Sequence, residues 1–311
     1  MSAHDVDDVE PVLDYERLQG GVAELYKSDA TLCSCTHDHW LAMGTVSGCV
    51  HVFDPSGRPY MLLKPHKAAV TALSTDARGG YLASASADGT VAIFPVRCTP
   101  PGAGAANGAA DGGVTGGGEL SEDELQVLDM GCGPLRSLAL DPQFGHRRER
   151  MVIVGGDRGH LVLDRRGWFS AKREILHEGE GAVQAVAWRG RGDCALLAWA
   201  NDKGVKVMDI VTGERISFIE RPGSSYHEDA AHCRPVIRWD GSGEGGAGLG
   251  LPPQEKRGPP VLFIGWADTL MRVDILGGAE EVLKSAIVAA AQPAAAAAAQ
   301  MTLAPSDSAG E

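Results

Sequence analysis

The feature that most constrains this chain is a unit that keeps returning along it: two short apolar runs, a tight turn and a third run. It is least interrupted over residues 176–209, with an alternating run ending at Trp188, a Gly-Asp turn, a second apolar run, the turn Asn201-Asp202-Lys203-Gly204 and a closing run to Met208 and Asp209. Period-two alternation bounded by turn residues predicts short strands joined by tight turns. The unit recurs over residues 31–54 with the turn Ser47-Gly48, and over residues 69–94 with the hairpin pair Asp88-Gly89. It returns over residues 135–164 around Asp157-Arg158-Gly159 and, more weakly, in the runs 236–240, 261–266 and 269–274.

The turn glycines Gly48, Gly89, Gly159 and Gly204 are 41, 70 and 45 residues apart by subtraction. Two of these spacings fall near the WD40-type period of roughly 40 to 45 residues. The long gap contains residues 99–118, almost wholly Pro, Gly and Ala, which read as a flexible insertion between consecutive blades. A second insertion, 241–260, widens the fifth unit. The expected fold is therefore all-β, a WD40-like β-propeller with about five blades over residues 13–276. A β-sandwich is the competing architecture, but it requires no fixed period. Gly-His and Trp-Asp pairs are not clear, and five blades is a low count, so either a partner segment completes the ring or the chain is a fragment. Residues 1–12 read as a disordered acidic leader. Residues 277–311 read as an Ala-rich helix, broken at Pro293, or a disordered tail.

Composition narrows function. A net charge of −13 opposes long-range attraction to nucleic acid, which is not an expected partner. The 7 cysteines are scattered and sit mostly in apolar runs, unlike a dense disulfide framework, and suit a reducing cytosolic interior. A secretory signal and an apolar stretch long enough to span a membrane are both lacking.

Cys33, Cys35, His37 and His39 carry metal-ligand side chains at alternate positions. On an extended strand they would spread over about 20 Å, too far for one tetrahedral ion, so the expectation is inner-strand cysteines followed by a polar turn. The literal G-x-G-x-x-G at 241–246 has no following helix and sits among prolines, so it reads as linker. His177, Glu178 and Glu180 resemble an acid/base group but lie in a Gly-flanked loop, which more often makes a solvated link. No constellation supports an enzyme, a cofactor or a metal. Residues 143–173 carry eight Lys or Arg, among them Arg147, Arg148 and Arg150, against three acids. That local excess suits an acidic partner or a membrane surface, or is an ordinary solvated face.

The runs LHEGEGAVQAVAWRG (176–190) and LAWANDKGVKVMD (197–209) closely resemble the N-terminal propeller of the vacuolar protein sorting-associated protein 41 family. LDYERL (13–18), HDHWLAMGT (37–45), the Gly-Trp of FIGWA (263–267) and Arg215-Ile216 support the likeness, which covers about residues 10–275 apart from the two insertions. The resemblance implies a non-enzymatic subunit of the HOPS tethering complex in late endosome to vacuole or lysosome transport and fusion. It further implies other HOPS subunits, a Rab-type small GTPase and adaptor-coated vesicle components as partners, and a cytoplasmic protein held peripherally on those membranes. The solenoid and RING-like domain of that family do not occur in these 311 residues. Propeller loops of one rim form a protein-binding platform, so contacts are expected at His177, Glu178, Glu180, Asn201, Asp202 and Lys203, with Arg147, Arg148 and Arg150 as a basic addition. A generic propeller scaffold, such as a ubiquitin-ligase substrate receptor, is the alternative.

Overall fold

The computed structural model describes residues 17–18, 20–97, 120, 122–167, 170–191, 194–221, 234–240, 259–275 and 289–290. They form five four-stranded antiparallel sheets, each built from consecutive strands. Blade 1 holds β1 (Thr31–His37), β2 (Trp40–Thr45), β3 (Val50–Phe53) and β4 (Pro59–Leu63). Blade 2 holds β5 (Val70–Thr75), β6 (Tyr81–Ser86), β7 (Thr90–Pro95) and β8 (Gln126–Asp129). Blade 3 holds β9 (Leu135–Leu140), β10 (Arg150–Gly156), β11 (Leu161–Arg166) and β12 (Ala171–His177). Blade 4 holds β13 (Ala185–Arg191), β14 (Cys194–Ala200), β15 (Gly204–Asp209) and β16 (Arg215–Glu220). Blade 5 holds β17 (Val236–Trp239), β18 (Val261–Trp266), β19 (Thr269–Asp274) and the two-residue β20 (Ala289–Ala290).

The first strand of every blade faces a central channel of 540 Å³, lined by residues such as Cys35, Ser74, Leu138, Ala187 and Arg238. The molecule is a five-bladed β-propeller, as the repeat period predicts. Two features differ from the sequence reading. Each of the first four blades carries a fourth, outer strand that the repeated unit did not reveal. The insertion at 99–118 enters between β7 and β8, inside blade 2, and does not link two blades. Of the expected Ala-rich tail only β20 is described, paired with Met271 and Arg272; the acidic leader 1–12 lies outside the described residues.

The turn glycines explain the period. Gly48, Gly89 and Gly159 have φ of 86°, 87° and 81°, and each donates its N–H to the carbonyl three residues earlier, at 3.3, 3.1 and 3.2 Å. A Cβ on Gly48 or Gly159 would stand 2.5 or 2.6 Å from a carbonyl oxygen of the following inter-blade link, at His66 and Gly179. Such turns therefore need glycine twice, for the left-handed backbone and for the close approach. Gly204 is different. Its φ is not positive, and its added Cβ would lie 2.2 Å from the Ile219 carbonyl oxygen of β16.

Blades adhere through apolar faces. Trp40 and Val52 meet Leu82 and Phe94 across the first junction, and Val91 and Ile93 meet Leu138 and Val152 across the second. Ile153 and Leu163 meet Leu197 and Trp199 across the third, and Val207 meets Leu262 and Ile264 across the fourth. Among the described residues no such cluster spans blades 5 and 1. Helix α1 (Gly21–Ser28) covers blade 1 instead, laying Val22 and Leu25 on Met43 and Phe53. On blade 5, strand register puts Val236, Phe263 and Leu270 on one face, where they are 58%, 37% and 54% exposed.

Candidate protein-interaction surface

Antiparallel strands sort the loops onto two rims. One rim collects the turns between second and third strands and the links between blades; the other collects the remaining two loops of each blade. The loop 178–184, between β12 and β13, and the turn 201–203, between β14 and β15, share the first rim. Their side chains meet there. Asn201 Nδ2 donates to Glu180 Oε2 at 3.0 Å and lies 3.4 Å from His177 Nε2. Lys206, at the start of β15, forms an ion pair with the same Glu180 oxygen. The Asn201 Oδ1 accepts the backbone N–H groups of Lys203 and Gly204 at 3.0 and 3.2 Å.

The chain reaches Glu180 through an unusual backbone. Gly179, Glu180 and Gly181 have φ of 89°, 61° and 84° in succession. A non-glycine residue in that region stores strain and persists only when its surroundings hold it, and the contacts to Lys206 and Asn201 supply that hold. The hydrogen bond from Lys206 draws the Glu180 carboxyl below the ordinary glutamate range, against the opposing effect of burial, with Asn201 adding a smaller pull. Burial first, then Lys206, holds the His177 imidazole below its ordinary value, with Glu180 pulling the other way. The ring lies tilted against Trp199, centroids 5.6 Å apart. Both rings and Asn201 are buried, whereas Glu178, Asp202 and Lys203 are exposed; Glu178 lies 3.3 Å from His160 Nε2. The rim thus sets Glu178, Asp202 and Lys203 beside a polar anchor in which His177 and Asn201 are buried, Lys206 is half-buried and Glu180 is exposed. Lys206, which ties the anchor together, carries no motif in the sequence; its only signal is a charge on an otherwise apolar strand.

A parallel anchor sits one junction earlier, at His66. Thr90 Oγ1 donates to Asp88 Oδ1 at 2.6 Å, so it can only accept from His66 Nδ1 at 2.8 Å. The other ring nitrogen then accepts from Ser84 Oγ at 2.8 Å. Asp88 also takes the Lys67 N–H at 2.7 Å, tying the inter-blade link to the turn.

The basic residues lie on the opposite rim. Arg147 and Arg148, in the β9–β10 loop, and Arg150, at the start of β10, open onto a cavity of 1020 Å³ that Arg166 also lines. Acidic and basic candidates are thus separated by the length of the strands.

Elsewhere, β1 carries Cys33, Cys35 and His37 half-buried at alternate positions. Burial pushes the Cys33 thiol up to about 12 and the Cys35 thiol to about 11. No helix among the described residues is long and apolar enough to cross a membrane. The G-x-G-x-x-G at 241–246 lies outside the described residues.

Comparison with known proteins follows the same outline. The family model Beta-prop_Vps41, described as a Vps42 beta-propeller, matches residues 13–99 and 95–240. The chain is similar to the vacuolar protein sorting-associated protein 41 homolog of Arabidopsis thaliana, at 32% identity over 74% of this chain and 20% of that protein. It matches the Solanum lycopersicum homolog at 35% over 68% of this chain and 19% of the relative, and the Homo sapiens homolog at 32% over 72% and 23%. It therefore spans about a fifth of the length of these relatives. Among solved structures, the Cps50 (Swd1) beta-propeller domain of Myceliophteria thermophila superposes with a TM-score of 0.56 at 16% identity, covering 84% of this chain and 70% of that one. That likeness bears on fold alone.

Proposed function

Because this chain belongs to the Vps41 β-propeller family, we propose that it acts as the propeller of a HOPS-type tethering subunit in endosome-to-vacuole or lysosome transport and fusion. In this reading it is a non-enzymatic platform in the cytoplasm, held peripherally on late endosome or vacuole membrane through its partners. The family match across the first four blades carries the reading. The first rim supports it physically: Glu178, Asp202 and Lys203 are exposed on a backbone that His177, Glu180, Asn201 and Lys206 hold in place. A rigid, charged, shallow surface suits a protein partner, since orientation is fixed before contact and little ordering entropy is lost.

The partners proposed for that rim are a Rab-type small GTPase and components of adaptor-coated vesicles, with other HOPS subunits completing the assembly. The test is a pull-down of this chain with a vacuolar Rab loaded with GTP or with GDP. The reading expects retention with GTP alone, and its loss in the double variant Glu178→Arg, Asp202→Arg. Equal retention of both nucleotide states, or no effect of the double variant, sinks the assignment of that rim.

A further inference from the structure

On the second rim, where blade 2 meets blade 3, four guanidinium groups line one cavity. Arg147 and Arg148 enter from the β9–β10 loop, Arg150 from the start of β10 and Arg166 from the end of β11, with Gln126 and Ser170 completing a lining that holds no carboxylate among the described residues. The cavity measures 1020 Å³, near the upper end of the range of small-molecule sites, roughly 300–1,000 Å³.

The arginines are held from behind, and their outer nitrogens are left over. Arg147 uses Nε on Gln143 Oε1 at 3.2 Å and lies 3.5 Å from the fully buried Asp141 carboxylate. Arg166 uses Nε on Asp164 Oδ1 at 2.8 Å. Neither has a partner for its terminal nitrogens among the described residues. Arg150 stacks 5.2 Å from the Tyr81 ring centroid and 5.3 Å from that of Phe144, donates through Nη2 to the Tyr81 hydroxyl at 3.3 Å, and forms no ion pair among the described residues. Arg148 is exposed and makes no hydrogen bond or ion pair among the described residues. Glu149 is exposed and outside the lining.

We infer that this cavity is a binding site for a small, multiply phosphorylated anion of the inositol polyphosphate class. Four guanidinium groups line one cavity, two of them anchored through Nε on Asp141 and Asp164 outside the lining, and their remaining N–H donors match phosphate oxygens, which guanidinium groups bind in pairs. One phosphate leaves most of a cavity this size unused; several phosphates on a compact ring engage all four arginines. Among the described residues the lining is polar apart from Ala171 and Gly167, and the paired guanidinium donors suit the small anion. The phosphates are those of a soluble molecule or of a lipid headgroup. The site does not depend on the tethering role, since it occupies the rim away from Glu178 and Asp202.

The experiment is titration calorimetry of this chain with myo-inositol hexakisphosphate at about 50 and about 200 mM salt, where screening of an ionic site weakens binding severalfold. Saturable binding is expected, at least about tenfold weaker in Arg148→Glu and unchanged in Lys203→Glu on the other rim. Co-sedimentation with phosphatidylcholine vesicles, with and without phosphatidylinositol bisphosphate, identifies the source. Arg148-dependent recruitment assigns a lipid headgroup, and calorimetric binding without recruitment assigns a soluble anion. Equal affinity of wild type and Arg148→Glu, or capture of an acidic phosphopeptide with no binding of the hexakisphosphate, overturns the proposal. Loss of GTPase binding in the Glu178, Asp202 variant leaves it standing.

Discussion

His66 joins the link after blade 1 to the body of blade 2 through one ring held neutral between Ser84 and Thr90. Burial holds its imidazole below the ordinary range, against the pull of Asp88. The unfolded chain takes up that proton near pH 6.5, so between there and the lower folded value it binds more protons than the native state. Stability is therefore full above about pH 6.5 and is lost as pH falls through this window. His177 is depressed too and adds in the same direction. Thermal melts from about pH 7 to about pH 5 should show a falling midpoint whose slope is shallower in His66→Gln; parallel slopes would remove His66 from the account. Asn201 gives a second expectation. Truncation to Ala orphans the Lys203 and Gly204 amides and frees Glu180, and chemical denaturation should register a loss of about 1–3 kcal/mol.

At the scale of elements, the outermost strands separate what a sequence displays from what it withholds. The second and third strands of the first four blades are joined at turns holding Gly48, Gly89, Gly159 or Gly204 and are packed on two faces, as in β6, whose residues after Tyr81 are all buried; their apolar runs are plain. The fourth strand covers the sheet edge and faces water, so β8 buries only Leu128 and β16 only Ile219, and neither alternates clearly. Helix α1 was missed because eight residues with two buried side chains make too short a periodic signal. The meeting of loops 177–180 and 201–203 on one rim was legible once the repeat was found. Lys206 and Arg166 were not, because which charge pairs with which depends on register across strands. Gly204 tests the outer strand directly. Overpacking against β16 backbone should cost Gly204→Ala about 2–3 kcal/mol. Gly156→Ala, whose Cβ would come no nearer than 3.4 Å to any atom, should cost less in the same denaturation series.

Among the described residues the blades are held together unevenly. Four junctions are sealed by buried apolar side chains, while blade 5 leaves Val236, Phe263 and Leu270 in water. Elements with few buried contacts open first. Native-state hydrogen exchange should therefore find β17, β18 and β19 exchanging faster than β10 and β14, and uniform protection across all five blades would contradict an unsealed junction. The two rims have a different consequence. Strands of six residues rise about 20 Å end to end, so a protein seated over Glu178 and an anion held by Arg148 sit on opposite ends of a stiff spacer. Neither can displace the other by touching it, and occupancy at one end leaves the other free to be counted separately, as a washer transmits load between two surfaces without letting them meet.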